Sequence, residues 1–283
     1  MIDANAIQPL VQVSQASWNL SLAARQIELA RLWADELAKP RHADPKRLLR
    51  YGFKVYSQAD EDGIIQEIFR RIGTTNRTFV EFGVEAGVEC NTAKLLLDGW
   101  NGLWIEAAPP YAAAIRNNAR SYIEGGQLKL IESLVTAESI NKLIASAGLG
   151  GEIDLLSIDI DNNDYWVWKA IDAVKPRVVV IEYNPTLRPP LSLVVPYRPD
   201  AQWDGTNYFG ASLEALVRLA RAKDYRVVGC NISGGNAFFV RNDQGVGAFL
   251  EPATAEEHFE PARYYFAMLN GGHRPRLGPY VAV

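Results

Sequence analysis

Histidine, cysteine and methionine are scarce in this 283-residue chain: three, two and two residues. Cys90 and Cys230 have neither metal-ligand spacing nor an obvious partner. That excludes a zinc module or a disulfide framework and leads us to expect a reduced, cytoplasmic protein. No apolar run approaches the roughly 18 residues that a membrane-spanning helix needs. The stretch Met1 to Gln15 has no basic patch and carries Asp3, a pattern expected of neither a secretion signal nor a transit peptide. Excess positive charge is missing as well. The formal net charge of −4 argues against a nucleic-acid partner, because such proteins need basic surface to displace counterions. Internal repeats and low-complexity tracts are absent too. What is left, 48% hydrophobic and 22% charged, is ordinary globular composition.

The chain is organised as a helical preface followed by an alternating core. Helical spacing over Ser17–Lys39 (Leu22, Ile27, Ala30, Trp33, Leu37) stops at Pro40, and a second helix is expected over Asp60–Ile72. β-Branched or apolar runs follow at Thr78–Phe82, Gly102–Glu106, Gln127–Ile131, Ile153–Asp159 and Arg177–Tyr183. Helical patterns separate them at Gly87–Asp98, Pro109–Arg120, Ala137–Ala147 and Asp164–Val174. Strands spaced by helices imply right-handed crossovers and a parallel sheet covered on both faces. The rhythm breaks over Asn184–Gly210, a proline-rich stretch long enough to act as a lid or binding loop. A helix (Ala211–Lys223) and a hairpin (Tyr225–Cys230, Gly234–Gly235, Asn236–Arg241) close the pattern. The expected fold is α/β: a doubly wound, mostly parallel seven-stranded sheet with an antiparallel terminal hairpin, the order of the class I S-adenosylmethionine (SAM) methyltransferases. Its expected parts are a helical extension over 1–50, the catalytic domain over 51–250, and a tail over 251–283 that packs on the domain. The apolar stripe of the first helix predicts docking on the domain or on a second copy.

The first strand leads into "FVEFGVEAGVEC", a strand ending in a tight turn. A dinucleotide fingerprint, G-x-G-x-x-G, lets backbone N–H groups meet a pyrophosphate. Here the spacing is Gly83-x-x-x-Gly87, and Glu85 stands where the middle glycine would be. An anionic side chain there would repel phosphate. SAM has no phosphate, and its sulfonium and ammonium make nearby acids tolerable or helpful. Glu81, Gly83 and Gly87 are therefore candidate cofactor residues. Glu106 lies 23 residues after Gly83, where a carboxylate accepts ribose hydroxyls. That acid serves NAD and SAM equally.

The motifs "YSQADEDGIIQEIF", "FVEFGVEAGVECNT", "GWNGLWIEAAP", "DLLSIDIDNNDYWVW", "VVVIEYNP" and "YFGASLEALVRLA", taken in order over Tyr56–Arg241, resemble the FkbM-like SAM-dependent methyltransferases. That resemblance implies O-methylation of sugars or hydroxylated natural products. Glu85 and Asn162 depart from the usual family pattern, at positions where glycine is more common.

Methylation of a hydroxyl requires loss of its proton, to a general base or with the help of a divalent cation. None of the three histidines (His42, His258, His273) lies near a motif strand end, which favours carboxylates. Asp159, Asp161 and Glu182 are the candidate catalytic residues. With Asn184 they could form an all-oxygen site suited to Mg²⁺. The alternative has Asp159 orienting the SAM ammonium and Asp161 capping the next helix. Gln58 and Asp60 are placed to close over the methionine end of SAM, with Asp60 equally suited to cap its helix. In the long loop, Tyr197, Trp203 and Tyr208 offer flat faces for a sugar ring, and Arg188 and Arg198 could meet an acidic group on it. Asn236, at the start of the last strand, could reach the site or satisfy the Gly234–Gly235 turn. A non-catalytic nucleoside binder and an NAD-dependent oxidoreductase remain as rival readings.

Overall fold

The computed structural model describes residues 4–267 and 272–283. The chain divides into two compact units, Met1–Asp44 and Pro45–Val283, so the extension ends a few residues before the expected boundary at 50. The first unit is dominated by one helix, α1 (Ala4–Leu37), which starts well before Ser17.

The second unit carries the sheet. Its strands are β1 (Thr78–Phe82), β2 (Asn101–Glu106), β3 (Leu128–Glu132), β4 (Gly151–Ile158), β5 (Val174–Glu182), β7 (Tyr225–Cys230) and β8 (Asn236–Arg241). A separate two-stranded sheet joins β6 (Leu193–Val194), inside the long loop, to β9 (Val281–Ala282), so the end of the chain is tied to the second unit. The main sheet runs β3-β2-β1-β4-β5-β8-β7. The first five strands are parallel, and β8, inserted between β5 and β7, runs antiparallel to both. This is the class I methyltransferase topology.

Period-two alternation in the strands explains the double winding. On β5, Val178 and Val180 join one apolar layer while Val179 and Ile181 join the other; Leu155 and Leu156 divide in the same way on β4. Both layers are completed by helices: α2 (Glu61–Ile72), α3 (Ala93–Leu97), α4 (Pro109–Asn118), α5 (Arg120–Glu124), α6 (Ile140–Ser146), α7 (Asp164–Ala170), α8 (Leu213–Ala222) and α9 (Ala255–His258). Among them, α3 differs most from expectation. Helical backbone begins only at Ala93, ten residues past Gly83, so the glycine turn opens into a loop rather than into a helix.

At the amino end of the sheet, Arg177 on β5 pairs with Asp154 on β4 at 2.7 Å, and both side chains are buried. Asp154 also accepts the backbone N–H groups of Thr75, Asn76 and Arg77. Arg177 donates to the carbonyls of Ile72 and Gly73 at the end of α2. The pair thus clamps the α2–β1 connection to the centre of the sheet. Arg177→Met strands Asp154 as a buried unpaired charge and is expected to cost about 3–5 kcal/mol. Urea unfolding reads this directly, and a midpoint equal to that of the parent protein would refute the clamp.

Candidate active site

The carboxyl ends of β1, β2, β4 and β5 open into one cleft, where ligands bind in open α/β sheets. The turn after β1 shapes its floor. Gly83 has φ +79°, and a Cβ placed there would stand 1.5 Å from the carbonyl oxygen of Asp159. Only glycine lets the ends of β1 and β4 come this close. Glu85 follows at φ +48°, a region that residues with a Cβ seldom enter. Its N–H donates to Glu106 Oε2 at 2.9 Å, while Ala108 N–H donates to Glu106 Oε1 at 2.8 Å. Glu106 is thereby fixed at the tip of β2, with a lone pair left on each oxygen. Gly87 serves another purpose than the one expected: a Cβ there would lie 2.6 Å from the Trp104 ring, so this glycine admits the indole, and it is not part of the cleft wall.

Glu81, expected to hold cofactor, lies in the cleft wall, and its carboxylate is also held by the protein. It is 2% exposed. Oε1 accepts from Asn91 N–H at 2.9 Å and Ser157 Oγ at 3.0 Å, and Oε2 from Thr92 N–H at 3.0 Å and the Thr92 hydroxyl at 2.5 Å. These bonds pin the loop before α3 to β4.

The cleft has a volume of about 550 Å³, within the usual range for small-molecule sites. Its walls hold seven carboxylates: Glu81, Glu85, Glu89, Glu106, Asp159, Asp161 and Glu182. Among the described residues no lysine or arginine lines it. Gln58 stands in the wall, but Asp60 does not; its buried carboxylate accepts Ile232 N–H beneath the terminal hairpin.

Asp159, Asp161 and Glu182 come together as the β4 and β5 ends converge, each offering an oxygen within 4.8 Å of the others. Burial, reinforced by their mutual repulsion, raises Asp159 and Glu182 well above the usual carboxylate range. Burial and the charge of Glu85 push Asp161 up to about 6. Asp161 is also held at φ +65°, and it does not cap α7: Asn163 occupies that position. Glu182 Oε2 is buried without a hydrogen-bond partner. A cluster of this kind can bind a cation or hold protons. Asn184, expected as a fourth oxygen, is engaged elsewhere. Its amide donates to the carbonyls of Asn207 and Phe209, and its oxygen accepts from Thr186, which ties down the long loop.

Of the residues expected to meet the acceptor, Trp203 and Asn236 line the cleft, whereas Tyr197, Arg198 and Tyr208 do not, and neither does Arg188. Tyr197 donates to Glu138 at 2.6 Å and accepts Ala137 N–H; Tyr208 donates to the Pro279 carbonyl. Arg198 joins Asn163 through its own backbone. One residue was missed. His273, which no strand-end motif flags, lines the cleft from the C-terminal segment, edge-on to Trp203, Phe209 and Tyr264 with ring centroids at 4.9, 5.7 and 4.5 Å. Burial lowers its pKa from the ordinary histidine value, so the imidazole is neutral at neutral pH. A histidine 91 residues beyond Glu182 gives no local signal; only the fold brings it in.

No protein-family model matches the sequence, and no curated protein matches it. Solved structures give weak matches. An O-methyltransferase family protein from Burkholderia thailandensis is 17% identical over 63% of this chain, with a TM-score of 0.42. The chain spans about half the length of that protein, 54%. An O-methyltransferase from Bacillus cereus, solved with SAH, is 14% identical, covering 76% of this chain and 89% of its own, with a TM-score of 0.40. A SAM-dependent methyltransferase from Clostridium acetobutylicum is 13% identical over 75% of this chain and 98% of its own, with a TM-score of 0.39.

Crowding in the site has a measurable signature. A carboxylate whose folded pKa lies above its unfolded value of about 4 contributes stability that is complete below that value. The contribution is lost as pH rises through the folded pKa, about 6 for Asp161. The protein kept free of divalent ions should therefore melt higher at pH 5.5 than at pH 7.5. Asp161→Asn, which keeps a side chain tolerant of this backbone conformation, should narrow that difference. An unchanged pH dependence in the variant would count against the crowding.

Proposed function

We propose that the protein transfers the methyl group of SAM to a hydroxyl of a saccharide or glycosylated metabolite, with a divalent cation held by Asp159, Asp161 and Glu182. The observation that carries this reading is the charge of the cleft. At the carboxyl end of a class I sheet stand seven carboxylates and, among the described residues, no lysine or arginine. A pyrophosphate would be repelled there, which speaks against NAD. A sulfonium, an ammonium and a divalent cation would all be attracted.

The residues present fit both groups. Glu106 retains a lone pair on each oxygen for the ribose hydroxyls, and the acids around the turn suit the positive end of the cofactor. The unpartnered Glu182 Oε2 and its two neighbours suit a hard cation. When bound, SAM supplies an electrophilic methyl group; a bound divalent cation lowers the pKa of a hydroxyl. The chain's own residues do the rest. Glu106 orients the nucleoside, and Trp203 with Phe209 walls off one side of the acceptor. The Asp159–Asp161–Glu182 group holds the acceptor oxygen and receives its proton, and neutral His273 offers a second acceptor for it. The O-methyl assignment and the saccharide draw on the FkbM-like motifs between Tyr56 and Arg241. Three crowded carboxylates also weigh against a non-catalytic nucleoside binder, because they cost stability and nucleoside binding does not require them.

Calorimetric titration tests the reading. SAM and S-adenosylhomocysteine should bind and NAD should not, and absence of binding by both SAM species at millimolar concentration would sink the proposal. Glu106→Ala removes hydrogen bonds to a charged acceptor worth roughly 1.5–3 kcal/mol. It should therefore weaken S-adenosylhomocysteine about ten- to a hundredfold without lowering the folded fraction.

A further inference from the structure

We infer that Asn236 supplies the fourth oxygen of the cation site, in the place that sequence reasoning gave to Asn184, and that Glu61 is the positioning residue that aims it. The inference rests on the cation reading above and assigns new residues to it.

Asn236 opens β8 and pairs in register with Glu182, the last residue of β5. Directly opposed residues of an antiparallel pair project to the same face with Cβ atoms roughly 4.5–5.5 Å apart, and both side chains line the cleft. Asn236 is 4% exposed. Its Nδ2 donates to Glu61 Oε1 at 3.0 Å. Glu61 is itself fully buried and is locked by Asn231 Nδ2 on Oε1 and by Ala59 N–H on Oε2. A carboxylate only accepts, so the amide of Asn236 has one permitted orientation: nitrogen toward Glu61, oxygen away from it. That oxygen, Oδ1, is buried with no partner. Its cross-strand neighbour Glu182 Oε2 is in the same condition.

Orphaned acceptors on two directly opposed residues are costly in a folded protein. Nothing on the protein side satisfies them. A donor or cation entering from the cleft would satisfy both, and the oxygens of Asp159 and Asp161 lie beside Glu182. Carboxylate and amide oxygens make a hard set of the kind that Mg²⁺ and Mn²⁺ prefer. The Asn231–Glu61 pair also explains why an amide rather than an acid stands at 236: a carboxylate there would face Glu61.

Mn²⁺ binding, followed by calorimetry and by the Mn²⁺-induced rise in melting temperature, tests the assignment on the full-length protein, with S-adenosylhomocysteine affinity measured in parallel. Asn236→Ala should weaken Mn²⁺ at least tenfold and leave S-adenosylhomocysteine affinity within twofold. Asn236→Asp separates a ligand from a merely structural amide. Without metal it should melt below the parent protein, because the new acid faces Glu61. With Mn²⁺ it should regain more than the parent does, because the metal gains a charged ligand. Glu61→Gln should weaken Mn²⁺ without itself touching the cleft. If Asn236→Ala binds Mn²⁺ as tightly as the parent while Glu182→Gln does not, the assignment is overturned. If the parent binds S-adenosylhomocysteine but no Mn²⁺ in the millimolar range, the cation site is refuted and the methyltransferase reading stands.

Discussion

The shape of the cleft depends on a carboxylate that the protein itself holds on four sides. Glu81 lies in the middle of the sheet, closed off from water, and four hydrogen bonds from Asn91, Thr92 and Ser157 hold it. An acid buried among apolar neighbours is tolerable only when its acceptor positions are filled, and filling them dictates the path of the chain. Asn91 and Thr92 must fold back over β1, and Thr92 in turn accepts the Trp104 indole N–H at 2.7 Å, so β1, β2 and β4 are cross-tied through one side chain. The turn between Gly83 and Asn91 is therefore a taut loop anchored at both ends, which is how a residue such as Glu85 is kept in a left-handed conformation it would not choose.

The strain at Glu85 and Asp161 has a common location. Both line the cleft, and both carry negative charge into it. The sheet and its two apolar layers provide the stability that allows this, since neither layer includes them. The same division appears at the two ends of the sheet. At the amino end, Arg177 neutralises Asp154. At the carboxyl end, acids of like sign gather with, among the described residues, no lysine or arginine in the cleft wall. Several acids of the cleft are held too, Glu81 and Glu106 by hydrogen bonds and Glu89 by Lys54, whereas Glu182 keeps a buried oxygen without a partner.

How much of this was legible in the sequence follows from the range of the interactions. The alternation Val178-Val179-Val180-Ile181 and the Gly83 turn are local, and strand order and cleft position follow from them. The convergence of Asp159, Asp161 and Glu182 was also readable, because strand-end residues of neighbouring parallel strands must meet. Sequence gives no view of Asn91 and Thr92 folding back onto Glu81. Tyr197 and Tyr208 looked like a sugar platform because an aromatic in a loop carries no mark of what it packs against. His273 and the Glu61–Asn236 bond, 175 residues apart, belong to contacts that only the folded chain creates.

The one-signed wall of the cleft also bears on how a catalytic cycle would end. On the proposed reaction, the cofactor enters with a positive sulfonium and leaves as a neutral thioether. A cavity of carboxylates holds the first more firmly than the second, so the act of transfer itself loosens the grip on what remains. On that reaction the change in the cofactor's own charge would favour release of the spent form.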